Sequence, residues 1–119
     1  MQDNEILTRV EVEERICRLT DVLEERTGDY RRLAHKAAEA EASYRAHHAM
    51  CTLAIINGAG DKKMTVDERA ARADASSNEE YKTFLIATAA RNSCRESLLS
   101  LRATLDALRT LAASIRALS

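Results

Sequence analysis

Leu98-Leu99-Ser100-Leu101-Arg102-Ala103-Thr104-Leu105-Asp106-Ala107-Leu108-Arg109-Thr110 sets its main leucines at steps of three and four, and Ile115 and Leu118 continue the line after a step of seven. These steps put Leu98, Leu101, Leu105, Leu108, Ile115 and Leu118 on one side of an α-helix, so the stretch predicts a helix with a single apolar seam. Beside the seam runs a second pattern: Arg95, Arg102, Arg109 and Arg116 recur every seven residues, with Arg91 one turn earlier. With Leu98 and Leu101 as a and d of a heptad, the recurrent arginines take position e, where they can reach a partner helix or a bound anion.

The rest of the chain has the composition of long helices. Among 119 residues there is no proline, glycine occurs three times, aromatics make up 3% and charged residues 31%, a mixture that predicts an all-α protein. A net charge of −1 argues against coating nucleic acid by bulk electrostatics, but the charge is polarised. Residues 1–30 hold nine acids against four arginines, whereas residues 82–119 hold six basic residues against Glu96 and Asp106. Cys17, Cys51 and Cys94 are odd in number and widely spaced, as expected of small buried side chains in a reducing compartment. The acidic opening Met1-Gln2-Asp3-Asn4-Glu5 does not read as a signal peptide, and no window approaches the roughly 20 apolar residues of a membrane span. A cytoplasmic protein is expected.

Working toward the N-terminus, residues 4–56 read as one long helix capped by Asp3 or Asn4. Val12, Ile16, Leu19, Leu23, Arg26, Tyr30, Leu33, Ala37, Ala40, Tyr44, His47 and Cys51 alternate steps of four and three. Gly28 weakens the middle, where glycine costs about 1 kcal/mol relative to alanine, yet a continuous helix is the favoured expectation. Residues 57–77 read as a turn with a short helix inside it. Asn57-Gly58-Ala59-Gly60-Asp61 ends the first helix in the manner of a glycine cap. Thr65-Val66-Asp67-Glu68 has capping-box form and starts a short helix through about Ala73, and Ser77-Asn78-Glu79-Glu80 is a second box that opens the last helix, residues 78–118.

Folded about the middle of 57–77, the two long helices pair positions whose numbers add to about 134. Arg109 then lies beside Glu24 and Glu25, Arg95 beside Glu39, Arg116 near Glu14 and Asp21, and Cys94 near Ala40. Roughly the first fifteen residues are left without a partner helix. The expected architecture is a long antiparallel helical hairpin, coiled-coil-like, with a short helical linker, forming a single domain that assembles into a helical-bundle homo-oligomer. The competing expectation is a compact monomeric bundle broken at Gly28.

Candidate chemistry is sparse. Gly58-Ala59-Gly60-Asp61-Lys62-Lys63-Met64-Thr65 lacks the spacing of a phosphate loop and follows a helix instead of a strand. His47, His48 and Cys51 offer imidazole and thiolate on one helix, but a structural zinc needs four ligands, and neither His35 nor Cys94 falls nearby. Cys17 and Cys51 are expected to face inward, and Cys94, beside Arg91 and Arg95, has no histidine placed to serve it. No catalytic, cofactor or metal residue is therefore assigned, and no enzymatic activity is expected.

The arginines Arg91, Arg95, Arg102, Arg109 and Arg116 have two readings: salt bridges across the hairpin, or a polyanion-binding line supplemented by Lys62, Lys63 and Lys82. Tyr30, Tyr44, Tyr81 and Phe84 are too few to form a platform for stacked bases, and no helix-turn-helix appears. Tyr44, Tyr81 and Phe84 are expected to pack the turn end of the hairpin, or to form a partner site if exposed.

The long N-terminal helix, the linker Met64-Thr65-Val66-Asp67-Glu68-Arg69 and the terminal run from Leu98 to Thr110 together resemble small all-helical accessory proteins of phages and prophages from high-GC bacteria. That resemblance implies a role in a recombination or replication module, or in blocking a host system. The expectation is an interaction module that self-assembles through Val12, Ile16, Leu19, Leu23, Leu98, Leu101, Leu105, Leu108 and Ile115 and binds a macromolecular partner, chiefly a protein. Nucleic acid bound by the arginine line is the alternative.

Overall fold

A computed structural model describes residues 8–58 and 64–118, which form three helices, α1 (Arg9–Gly58), α2 (Val66–Ser76) and α3 (Asn78–Leu118), with no strand among the described residues. The protein is all-α and built on a helical hairpin. The expected caps Asp3 and Asn4 lie outside the described residues. Within them α1 starts behind Thr8, whose Oγ1 accepts the Glu11 N–H at 3.2 Å and whose carbonyl accepts the Val12 N–H at 3.0 Å. α1 then runs without a break through Gly28 and ends at Gly58, two residues beyond expectation. A Cβ added at Gly28 would meet nothing within 4 Å, so this glycine answers no steric need, and the bundle broken there is not formed.

The chain divides into two compact units, a terminal one comprising Met1–Arg31 with Ser93–Ser119 and a central one comprising Arg32–Asn92. In the terminal unit α3 runs antiparallel to α1. Arg26 Nη1 donates to Ser97 Oγ at 3.0 Å, and Cys94 Sγ donates to the Arg26 carbonyl at 3.7 Å. Val12, Cys94, Leu98, Leu105 and Ala112 are buried, and Ile16, Leu19, Leu23, Leu101, Leu108 and Ile115 half-buried. Fully enclosing a large apolar side chain such as Leu98 or Leu105 stabilises by about 1.5–3 kcal/mol, and half-burial by correspondingly less. Two members of the expected seams depart from it: Leu118 is 88% exposed, and the Arg26 side chain is exposed as it reaches for Ser97.

In the central unit both α2 and the first part of α3 lie along α1. His48 Nε2 meets Asp74 Oδ1 at 2.9 Å, and His47 Nε2 meets the Ser76 carbonyl at 3.3 Å and Glu80 Oε1 at 3.4 Å. The Tyr44 ring packs on Tyr81 at 5.1 Å and stacks on Phe84 at 6.0 Å, so these three aromatics do pack together.

α2 is well started and barely ended. Thr65, in extended conformation, accepts the Glu68 N–H on Oγ1 at 3.1 Å, as its capping box requires. Ser77 behaves otherwise. Its φ of −106° and ψ of 11° are not those of an N-cap, its N–H donates to the carbonyls of Ala73 and Asp74, and its carbonyl accepts the Tyr81 N–H at 3.0 Å. The hydrogen-bond ladder thus passes through Ser77, whose buried Oγ has no partner. The second capping box is not formed, and α2 extends to Ser76 in place of Ala73.

This moves the register. α2 is not part of the turn but packs along α1, so the chain has already reversed by Val66. Paired positions in each unit, such as His48 with Asp74 or Arg26 with Ser97, have numbers adding to about 122–123 and not 134. Cys94 therefore meets Arg26 and not Ala40, and Val12, expected in an overhang, is fully buried.

Candidate functional site

The register decides what the arginines can do. Arg91 lies one full heptad before Leu98, which puts it on the seam line and not on the flank with the others. It is half-buried, and its Nε and Nη2 both donate to Asn92 Oδ1 at 3.3 Å. Arg95, Arg102, Arg109 and Arg116 are all exposed. Arg109 Nη1 lies 3.8 Å from Asp106 Oδ1 on the same helix, an exposed pair of the kind worth about 0–1 kcal/mol. Arg95 and Arg102 make no hydrogen bond or ion pair with any described residue. The expected bridges from Arg109 to Glu24 and Glu25, and from Arg95 to Glu39, are not made. With the shifted register Arg109 comes instead to the Glu13 turn of α1, and the next positions toward the α1 C-terminus on that flank are Thr20 and Thr27, which carry no charge.

At that end Arg109, Ala112 and Arg116 of α3 and Glu13, Ile16 and Cys17 of α1 line a groove of about 430 Å³. A second groove of about 430 Å³ is lined by Val10, Glu13, Glu14, Cys17 and Arg18. Cys17 is exposed and borders both, contrary to the expectation that it faces inward, because it stands one position past the seam residue Ile16. Cys94 is the buried thiol, held against the Arg26 carbonyl. Among the described residues no three His, Cys, Asp or Glu side chains converge to hold a metal ion. His47 and His48 are engaged with Glu80, Ser76 and Asp74. The glycine-lysine run at 59–63 lies outside the described residues.

A second surface was not anticipated from the inner seam. In the central unit Met50, Leu53 and Ile56 of α1 are exposed by 70%, 59% and 46%, and Val66, Tyr81, Leu85 and Ile86 are exposed as well. The signal was present in sequence. From Ala42 to Gly58 the one Asp, Glu, Lys or Arg is Arg45, which Glu41 holds at 2.7 Å. A helix that is apolar on more than its inward face is normally covered on more than that face.

No described helix is long and apolar enough to cross a membrane. Compared with known proteins, the chain matches no family model, no curated protein and no solved structure.

Proposed function

We propose that this chain is a non-enzymatic helical interaction module, a coiled-coil-like hairpin that assembles with copies of itself and in that form holds a protein partner. The observation that carries the reading is the apolar surface left outside: in the central unit Met50, Leu53, Ile56, Leu85 and Ile86 are 46–71% exposed. Exposed apolar side chains grouped in this way favour assembly over solvation. The resemblance to phage and prophage accessory proteins supports the bacterial cytoplasm as the setting, with a partner from a recombination or replication module or from a host system that the protein blocks.

One observation favours a second reading. Arg95 and Arg102, one heptad apart and without acidic partners among the described residues, offer two unspent positive charges on one flank of α3. Such a line suits phosphates, and the alternative is a nucleic-acid-binding accessory protein.

Light scattering at low and high salt, with a fluorescent DNA oligonucleotide in a parallel series, separates the two. The module predicts a discrete oligomer at both salts that leaves the oligonucleotide free. A monomer at all concentrations overturns self-assembly. Oligonucleotide binding that weakens steeply with salt, and is lost in Arg95→Gln/Arg102→Gln, replaces the first reading with the second.

A further inference from the structure

The α1 segment of the central unit is two-faced. Tyr44, His47 and Cys51 are half-buried toward the other helices of that unit, with Tyr44 against Tyr81 and Phe84. On the opposite side Ala42, Ala46, Ala49, Leu53 and Ile56 are all exposed and fall at steps of four, three, four and three, with Met50 beside them. These steps repeat the inner seam on an outer face. Nothing among the described residues of the unit covers it.

We propose that this outer face is where a second copy of the chain docks, antiparallel, about a two-fold axis passing between Ala49 and Met50. Resting on the self-assembly reading above, the proposal adds the face, the direction and the register. The ground for it is the order of sizes along the stripe. Its N-terminal half is alanine, and its C-terminal half is methionine, leucine and isoleucine. An antiparallel pair about that axis sets Met50 against Ala49 of the second copy and Leu53 against its Ala46, and brings Ile56 level with its Ser43, one position from Ala42. Met50 and Leu53 then each enter a hollow left by an alanine, which is how close-packed interfaces fill space. A parallel pair would put Leu53 on Leu53 and leave alanine facing alanine.

Charge agrees with a like partner. A two-fold interface brings a patch against itself, so a strongly charged patch repels its own copy. Here the single charged side chain is Arg45, tied to Glu41 and, in this register, facing Ala54 of the second copy and not its Arg45.

The size order supplies the test. Ala46→Leu and Leu53→Ala are made singly and together in the full chain, and the dissociation constant of the assembly is read by light scattering over a dilution series. Alanine and leucine are both strong helix formers, and the two sites are exposed, so the helix itself is retained in every variant. Each single change mismatches two symmetric contacts, leucine on leucine or alanine on alanine, and is expected to weaken assembly roughly tenfold or more. The double change again opposes leucine to alanine at both contacts and is expected to restore assembly to within about threefold of the original.

A monomeric original protein overturns self-assembly and this proposal with it. An oligomer that neither single change weakens places assembly elsewhere and overturns this proposal alone. Weakening by both single changes without rescue by the double one overturns the antiparallel register.

Discussion

The two units use one helical pattern with different side chains. In the terminal unit the buried positions hold Val12, Leu98 and Leu105 together with Cys94 and Ala112. In the central unit they hold Ala37, Ala73, Ser77 and Ala87. Small inner residues let helices approach closely but enclose little apolar area, and at ~25 cal/mol per Å² that area is what sustains a pair of helices. The central unit keeps more of its bulk on the outside, Met50, Leu53, Ile56, Leu85 and Ile86, where the terminal unit exposes Val10, Leu99, Leu111 and Leu118. The terminal unit draws more on its own contacts, and under the proposed assembly the outer face of the central unit is completed by a second copy.

The largest expected effect breaks the terminal side of that contrast. Leu105 is 2% exposed, and Leu105→Ala is expected to cost about 2–5 kcal/mol, read as a lower denaturant midpoint with an unchanged slope. At the exposed Leu53 the same replacement removes little from the isolated chain and acts on assembly. Equal losses of unfolding free energy at the two sites in dilute, monomeric samples would erase the distinction between the units.

A smaller effect sharpens the central side. With so little apolar area enclosed there, α2 depends on its own ends, and Thr65 supplies one of them by accepting the Glu68 N–H. Thr65→Ala is expected to cost about 1 kcal/mol in the same denaturation experiment. If the threonine were dispensable, packing alone would be fixing the start of α2.

The sequence made the helical class and both inner seams legible, because a four-three alternation survives any tertiary detail. The seam of α1 was readable almost residue by residue from Val12 to Cys51. The register was not read correctly, and the cause is local. Thr65-Val66-Asp67-Glu68 and Ser77-Asn78-Glu79-Glu80 have the same capping-box form, but only the first caps a helix. A capping box describes four residues and is blind to what covers them. Carrying the four-three alternation backward from Leu98 through Cys94, Arg91, Ala87, Phe84, Glu80 and Ser77 to Ala73 would have placed Ser77 on the seam and α2 in line with α3. The arginine pairings were lost with the register, since a shift of about ten residues replaces Glu24 and Glu25 by the Glu13 turn. The outer stripe of α1 is faint in the sequence because its N-terminal half is Ala42, Ala46 and Ala49, and alanine is as common on exposed helix faces as on buried ones.

Ser77 gives the smallest effect, and its sign is the informative part. As a helix cap, its hydroxyl would accept an N–H, and Ser77→Ala would destabilise by about 1 kcal/mol. In the fold described here the hydroxyl is buried, donates to and accepts from nothing, and sits between α2 and α3 on a residue whose own N–H and carbonyl are both paired. Burying an unpaired hydroxyl costs free energy that its removal returns, and alanine is the better helix former. Ser77→Ala is therefore expected to stabilise, by a few tenths to about 1 kcal/mol, seen as a raised denaturant midpoint. The gain should persist at protein concentrations low enough to separate the copies, because Ser77 lies on the inner seam. A loss would restore the break between α2 and α3, and with it the register in which α2 belongs to the turn.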